Sequence, residues 1–232
     1  MSSLNHELGA EPKSPPLDLE SPRLETARIA ALLDPFLDRT LPEVFLEQIS
    51  TYIDLLLRWN AKVNLTAVRD EDHIVTRHFG ESLFLARHLF PDTPRKAHAV
   101  DIGSGAGFPA LPLKLWAPAI HLTLIESNQK KVAFLREVIR ALTLTNIDVK
   151  GCRAEDLAAD PAFPRADIVT FRAVEHFESI LPIAERLLAR SGRLALLIGS
   201  SQLPVLNSIQ VQWQPPIPIP DSTSRVLSIG SK

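Results

Sequence analysis

The segment VDIGSGAGFPALPLKLW, from Val100 to Trp116, places three of the nine glycines of this 232-residue chain within five positions. An apolar run precedes these glycines and a helix-like run follows them, so the segment predicts a strand, a tight turn and a helix. Glycine allows the backbone to turn tightly and lets a ligand lie directly against the main chain. We therefore expect a ligand-binding turn at this point.

Short apolar runs recur from Lys96 onward and alternate with helix-like stretches. Alternation of this kind predicts βαβ units and a parallel sheet that is covered by helices on both faces. The apolar runs are AHAVDI, IHLTLIE, NIDVKG, ADIVTF and GRLALLIG, and the stretches between them include ALPLKLW, QKKVAFLREVIRAL and FESILPIAERLLAR.

The last two apolar runs, SIQVQW and SRVLSIG, are joined by the proline-rich QPPIPIPDST, which leaves no room for a crossover helix. We therefore expect these two strands to pair antiparallel at one edge of the sheet. An α/β sheet of five parallel strands with such a C-terminal edge hairpin is typical of class I methyltransferases, which have a Rossmann-like fold. The sequence predicts this fold class for residues 96–232.

The chain before this domain divides into two parts. Residues 1–24 are rich in proline and scattered acids, and they are expected to form a disordered tail. Residues 25–95 are expected to form a helical cap, because apolar residues recur there at helical spacing. One such apolar face consists of Phe45, Ile49, Tyr52, Ile53 and Leu56.

Two local signals define the helices of this cap. Thr40 and Glu43 have the Thr-x-x-Glu spacing of a capping box, with Pro42 at an early helical position. The later stretch HIVTRHFGESLFLARHLF is also helical in pattern, and we expect a break in that helix near Gly80.

Composition excludes several classes of protein. No apolar run approaches the roughly 20 residues that span a bilayer, and the N-terminal residues lack the pattern of a secretory signal. The single Cys152 rules out an intramolecular disulfide and suits a reducing compartment. We therefore expect a cytoplasmic protein that is not bound to a membrane.

Charge is unevenly distributed along the chain. Residues 1–57 contain ten acidic residues and four Lys or Arg, whereas the rest of the chain contains 17 acidic residues and 21 Lys or Arg. Such a basic bias suits an RNA partner, because phosphate attraction dominates nucleic-acid affinity. A solvated helical surface explains the same bias.

The glycine turn itself distinguishes two classes of cofactor. Gly103, Gly105 and Gly107 form a Gly-x-Gly-x-Gly pattern after Asp101, and this pattern suits S-adenosylmethionine. A dinucleotide-binding turn would instead have its final glycine at Phe108, counting from Gly103, or at Ala110, counting from Gly105. A tight turn without a ligand also explains the glycine spacing.

An acidic residue ends the second predicted strand. Glu126 lies 19 residues beyond Gly107, where a carboxylate can accept hydrogen bonds from two ribose hydroxyls. Glu126 fits nicotinamide cofactors equally well, and it could also cap a helix. It therefore supports a cofactor site without identifying the cofactor.

Specific motifs through most of the chain resemble the RsmG/GidB family, bacterial methyltransferases that modify a guanine of small-subunit ribosomal RNA. The resemblance covers roughly Leu41 to Lys232. It is carried by LLLRWNAKVNLTAVRD, RHFGESL, DIGSGAGFPALPLKL, IESNQKKVAFLREV, GCRAEDL and VTFRAVEH.

The resemblance implies methyl transfer from S-adenosyl-L-methionine to N7 of a guanine in the small-subunit (16S) rRNA. It also implies that Gly103 and Phe108 line the cofactor, that Ala154 and Glu155 hold its adenine end, and that Arg172 lies against it. Guanine N7 carries a lone pair and no proton, so its attack needs no general base, and no catalytic residue is assigned. From the residues alone, Glu155 could instead cap a turn and Arg172 could form a surface ion pair.

Candidates for RNA contact are basic residues near these motifs. Arg77 and His78 lie in the helical cap, and Lys130 and Lys131 begin the helix after Glu126. A solvated helix face explains the two lysines equally well. The expected partner is small-subunit rRNA or the small ribosomal subunit, the expected oligomeric state is a monomer, and no metal set is recognisable.

The chain departs from the family pattern at several positions. Ala110 stands where a further glycine is common, Gly80 and Glu81 replace a bulkier residue and Asp, and Phe171 replaces a small hydroxyl residue. LIGSSQL lacks the Lys of the usual Lys-Gly pair after the fifth strand.

Two functions of different classes therefore stay open. The first is an active rRNA guanine-N7 methyltransferase, and the second is a cofactor-binding relative whose RNA substrate is lost or altered. A nicotinamide oxidoreductase ranks third, because Phe108 and the edge hairpin disfavour it.

Overall fold

A central sheet organises the computed structural model, which describes residues 24–91, 96–174 and 176–232. The predicted tail lies outside the described residues except for Leu24. In the described part of the chain the sheet has eight strands, in the order β3-β2-β1-β4-β5-β8-β6, with β7 also paired to β8. The strands are β1 (His98–Ile102), β2 (His121–Ile125), β3 (Ile147–Lys150), β4 (Ala166–Arg172), β5 (Leu188–Gly199), β6 (Gln212–Trp213), β7 (Ile217–Pro218) and β8 (Arg225–Ser231).

The strand directions match the predicted pattern. Strands β1 to β5 pair in parallel, and β8 runs antiparallel to β5, β6 and β7. The outer strand of the predicted hairpin, residues 208–213, is much shorter than expected, because only Gln212–Trp213 pairs with β8 and Ser208 ends a 3₁₀ helix. The chain order reverses between β1 and β4, and ligands bind at such switch points in open α/β sheets.

Helices cover both faces of this sheet. Helices α1 to α4 share one apolar core with α5 and α6, and residues such as Tyr52, Phe79 and Phe134 are fully buried in it. A second core, on the other face, packs α7 and α8 against β4 and β5. The helices are α1 (Thr26–Leu33), α2 (Glu43–Asn60), α3 (Glu71–Ile74), α4 (Glu81–Leu89), α5 (Ala110–Trp116), α6 (Gln129–Ala141), α7 (Ala154–Ala159) and α8 (Phe177–Leu187).

The start of α2 differs from the prediction. Pro42 is the N-cap in an extended conformation, and no side chain caps the helix. The predicted capping box is therefore wrong, because α2 begins at Glu43 and Thr40 lies two residues before the cap. A proline held near φ −61° with ψ 149° is itself the last extended residue before the helix.

The expected break near Gly80 is also wrong. The π-helical segment Val75–Gly80 leads directly from α3 into α4. A Cβ atom at Gly80 would lie only 2.7 Å from the ring of Phe36. Gly80 therefore lets this ring pack closely against the helix rather than ending it.

Candidate active site

The turn after β1 needs glycine at its core positions. Gly103, Gly105 and Gly107 have φ of +64°, +56° and +85°, a region that residues with a Cβ rarely adopt. A Cβ at Gly107 would also collide with the Tyr52 hydroxyl and lie 2.7 Å from Cδ1 of Leu111. The turn is thus fixed both by its own backbone and by the side chains of α2 and α5 behind it.

Glu126 ties this turn to the end of β2. Its Oε2 accepts a hydrogen bond from the Gly105 amide at 2.9 Å, and its Oε1 accepts one from the Asn128 amide at 2.8 Å. Each carboxylate oxygen has a second lone pair, so Glu126 can accept further hydrogen bonds. The side chain of Asn128, not that of Glu126, caps α6.

A cleft of about 340 Å³ opens at the carboxyl ends of β1 and β2. Four of the residues predicted to bind the cofactor line this cleft. These are Gly103, Glu126, Ala154 and Glu155, and they are joined there by Lys131 and Cys152. A larger depression of about 520 Å³ lies between α6 and β3, at the far edge of the sheet and away from these residues.

The other candidate residues, and Glu155 again, occupy different positions relative to the cleft. Gly105 borders the cleft through its bond to Glu126, and Lys130 is exposed on α6. Glu155 lies in the first turn of α7, whose N-cap is Arg153, so it does not act as that cap. Phe108 and Arg172 are not among the residues that line the cleft.

Phe108 lies instead in a stack of aromatic rings beneath the glycine turn. Its ring stacks on Tyr52 at a centroid distance of 5.2 Å and on His78 at 4.9 Å, while Phe79 meets its edge. The Tyr52 hydroxyl donates a hydrogen bond to the Ala106 carbonyl within the turn. The sequence placed Tyr52 only on an apolar helix face, although it is the one tyrosine of the chain.

Asp101, at the end of β1, carries a buried carboxyl group. Its Oδ1 accepts a hydrogen bond of 2.7 Å from the Thr170 hydroxyl, while its Oδ2 is buried without a hydrogen-bond partner among the described residues. Burial raises the pKa of Asp101 to about 7, and the negative charge of Glu126 also favours the protonated form. A neutral carboxyl group at this position is therefore substantially populated at neutral pH.

This pKa predicts a pH-dependent stability difference between the protein and its Asp101→Asn variant. In the folded state Asp101 keeps its proton up to a pKa of about 7, whereas in the unfolded state it releases the proton above a pKa of 3.8. The contribution of Asp101 to the free energy of unfolding therefore falls as pH rises from about 4 to about 7. We expect the variant to gain melting temperature relative to the unmodified protein between pH 5 and pH 8. A difference in melting temperature that stays constant across this range would contradict the raised pKa.

Arg172 ends β4 in a buried network of charges. It donates one hydrogen bond from Nη1 to the Arg77 carbonyl at 2.7 Å and another from Nη2 to Nδ1 of His78. The buried Glu81 lies 2.6 Å from Arg225 Nη2, 3.9 Å from Arg172 Nη1 and 4.0 Å from Arg77 Nε. The Arg225 contact is an ion pair without hydrogen-bond alignment. Arg172 is thus not a surface ion pair.

His78 is a neutral part of this network. Burial and the charges of Arg172 and Arg77 lower the pKa of His78 to about 3. Arg172 can only donate, so Nδ1 of His78 accepts its hydrogen bond. The proton of the neutral ring is then on Nε2, which donates to the Thr66 hydroxyl at 2.8 Å. Both ring nitrogens are occupied and the residue is 6% exposed, which corrects the expectation that His78 contacts RNA.

The other polar residues of the cap have local roles. Asn60 accepts hydrogen bonds from the amides of Leu65 and Thr66 and donates to the Thr66 carbonyl, so it closes the loop after α2. His73 pairs with Asp70. In the three described ranges, no group of three or more His, Cys, Asp or Glu is placed to hold a metal, and no helix there is long and apolar enough to cross a membrane.

A glycine turn after β1, an acid after β2 and a cleft at the switch point are the features of a class I methyltransferase fold. Solved structures agree with this fold class. The structure superposes on a SAM-dependent methyltransferase from Aquifex aeolicus with a TM-score of 0.56 at 12% identity, covering 72% of this chain and 96% of that one. A predicted O-methyltransferase from Agrobacterium tumefaciens gives 0.51 at 19% identity over 65% and 80% of the two chains. The predicted fold class is confirmed.

The particular family follows from sequence comparison. The family model for rRNA small subunit methyltransferase G, GidB, matches residues 45–215, and the chain belongs to this family, as predicted. The ribosomal RNA small subunit methyltransferase G of Roseiflexus castenholzii is 43% identical over 157 residues, 67% of this chain and 66% of that protein. That of Xylella fastidiosa is 38% identical over 160 residues, 69% and 72% of the two chains. The match thus spans just under two thirds of the Roseiflexus protein.

Proposed function

We propose that this protein transfers a methyl group from S-adenosyl-L-methionine to N7 of a guanine in small-subunit ribosomal RNA. The observation that carries the proposal is the cleft in which Glu126, the glycine turn and the start of α7 converge. Membership of the GidB family supports the reaction and the substrate class. We further propose a monomeric, cytoplasmic protein in which residues 25–95 form a cap on the domain of residues 96–232.

The cleft residues fit the cofactor chemically. Glu126 retains lone pairs for two ribose hydroxyls, Gly103 offers backbone without a side chain, and Ala154 with Glu155 lies where the adenine would end. S-adenosylmethionine supplies an electrophilic methyl group on a sulfonium. Phe108 and Arg172 would act from the side of the cleft, through the ring stack and the charge network.

The reaction requires little proton transfer by the protein. Guanine N7 has a free lone pair, so the protein must align it with the methyl group and exclude competing geometries. Positive charge that moves onto the purine has to be accommodated by the surrounding dipoles and charges. The aromatic stack packs behind the turn, and Arg172, which directly precedes the cleft residues Ala173 and Val174, would lie close to the reacting groups.

The RNA would approach over exposed basic side chains near the cleft. Arg77 has 44% of its side chain exposed, Lys130 is exposed, and Lys131 lines the cleft. These three residues remain our candidates for phosphate contact. The segment LIGSSQL supplies no lysine, and Gln202 there accepts a hydrogen bond from the Gly199 amide instead.

The variant Glu126→Gln tests the cofactor site. The carboxylate of Glu126 accepts hydrogen bonds from the backbone amides of Gly105 and Asn128. The glutamine side chain has only one oxygen, so its NH₂ group must face one of these two donors. The turn and the ribose site therefore both lose a hydrogen-bond acceptor. We expect the dissociation constant for S-adenosylmethionine to rise about 10- to 100-fold by isothermal titration calorimetry. Glu137→Gln, on the part-exposed surface of α6, is the matched control and should bind normally. Unchanged binding by Glu126→Gln would remove Glu126 from the site.

The proposed reaction is tested by transfer of a labelled methyl group. Purified protein and methyl-labelled S-adenosylmethionine are incubated with small ribosomal subunits from a strain that lacks the activity. Label in the rRNA that gives cleavage at a single guanine under N7-specific chemistry would establish the reaction. Cofactor binding without transfer would favour the cofactor-binding relative with an altered substrate.

A further inference from the structure

The ring of His78 is held on three sides in the described structure. Its Nε2 bonds to the Thr66 hydroxyl, its Nδ1 bonds to Arg172, and one face stacks on Phe108. Few rotations of the side chain preserve all three contacts. The imidazole is therefore a fixed hydrogen-bond acceptor aimed at the end of β4.

The support behind His78 is itself fixed. Asn60 makes three hydrogen bonds to the loop that contains Thr66, and the Thr66 hydroxyl also accepts from the Val68 amide at 3.1 Å. The hydroxyl therefore stays where it meets Nε2 of His78. The donor-only guanidinium of Arg172 requires Nδ1 to accept, and the Thr66 hydroxyl then accepts a hydrogen bond from the protonated Nε2.

Arg172 receives its orientation from this part of the helical cap. Both acceptors of its guanidinium, the Arg77 carbonyl and His78 Nδ1, come from the π-helical segment Val75–Gly80. Two acceptors on one planar fork define the plane of the group as well as its position. A neutral imidazole, unlike a carboxylate, does this without cancelling the positive charge.

We propose that His78 is a positioning residue for methyl transfer, which holds the charged guanidinium of Arg172 in place beside the cofactor cleft. The proposal rests on the proposed function, because it assigns Arg172 to the reacting substrates. It extends that function by giving a role to the buried His78, which contacts Arg172 at the end of β4 although the two residues are far apart in the sequence. The role differs from the RNA contact expected of His78 from the sequence.

Two amide variants separate the two hydrogen bonds of the ring. An asparagine amide places its oxygen close to the position of Nδ1, so His78→Asn retains an acceptor for Arg172 and loses the Thr66 contact. A glutamine amide reaches the position of Nε2, so His78→Gln retains the Thr66 contact and loses the acceptor. We expect kcat on small ribosomal subunits to fall about tenfold or more in His78→Gln and several-fold less in His78→Asn.

The pattern of kinetic constants distinguishes positioning from general damage. The loss should fall on kcat while the KM for subunits changes little, because the interaction serves the reacting geometry. Both variants should bind S-adenosylmethionine and melt cooperatively. In an Arg172→Lys background, the difference between the two variants should disappear, because lysine does not present the planar fork.

Three outcomes would overturn the assignment. The first is an equal loss of kcat in both variants, and the second is a greater loss of kcat in His78→Asn than in His78→Gln. The third is a difference in kcat between the two variants that is unchanged in the Arg172→Lys background. Failure of the unmodified protein to methylate subunits would contradict the proposed function instead. The same assay therefore separates the two failures.

Discussion

Gly107→Ala is expected to cost about 3–5 kcal/mol of folding free energy, combining the strain of a left-handed residue with overpacking. The φ of +85° disfavours any Cβ, and the added methyl would meet the Tyr52 hydroxyl and the Leu111 side chain. Neither neighbour can move freely, because Tyr52 is fully buried and bonded to the Ala106 carbonyl. The free energy of unfolding in urea, followed by circular dichroism, measures the loss.

Gly105→Ala is the matched control for this prediction. Gly105 also has a positive φ, but an added Cβ would approach nothing closer than the Gly103 carbonyl oxygen at 3.7 Å. Only the backbone strain remains, so we expect a loss of about 1–2 kcal/mol. Equal losses in the two variants would show that packing of the cap against the turn does not matter.

Much of the fold could be predicted because its signals are local in sequence. The apolar runs of β1 to β5 and the turn at Gly103 need only neighbouring residues to be recognised. The weakest part was the C-terminal edge, where β6 is only two residues long and residues 209–211 of the predicted strand lie outside it. Strand length at an edge depends on which backbone groups find a partner, and local pattern does not contain that information.

The site could be predicted only where sheet topology brings residues together. Gly103, Glu126 and Ala154 each follow a parallel strand, and the carboxyl ends of those strands meet at one edge. The contacts of Tyr52 and His78 could not be found in this way, because they join the cap to the sheet across many residues of chain. Their signals were a single tyrosine on an apolar face and a histidine in a helix, each of which suits many other roles.

A second large effect is expected for Glu81→Gln, because this carboxylate lies within 4.0 Å of the guanidinium nitrogens of three arginines, Arg77, Arg172 and Arg225. Glu81 has 2% of its side chain exposed, while Arg172 and Arg225 have 13% and 25%. The variant keeps the size of the side chain and removes its negative charge. The largely buried guanidinium groups of Arg172 and Arg225 then lack the counter-charge of Glu81. Breaking a buried pair typically costs 3–5 kcal/mol, and the partial exposure of Arg225 places our expectation at about 3 kcal/mol.

The physical reason lies in which elements the network joins. Glu81 begins α4 of the cap, Arg172 ends β4 and Arg225 begins β8, so one carboxylate bridges the cap to two strands of the sheet. The exposed pair between Arg28 and Asp72 offers the control, because Arg28→Gln removes a similar ion pair in solvent and should leave the urea midpoint nearly unchanged. Raising the salt concentration should weaken the small effect of the control and leave that of Glu81→Gln largely intact. If both variants lost the same stability, burial would not be what makes the Glu81 network strong.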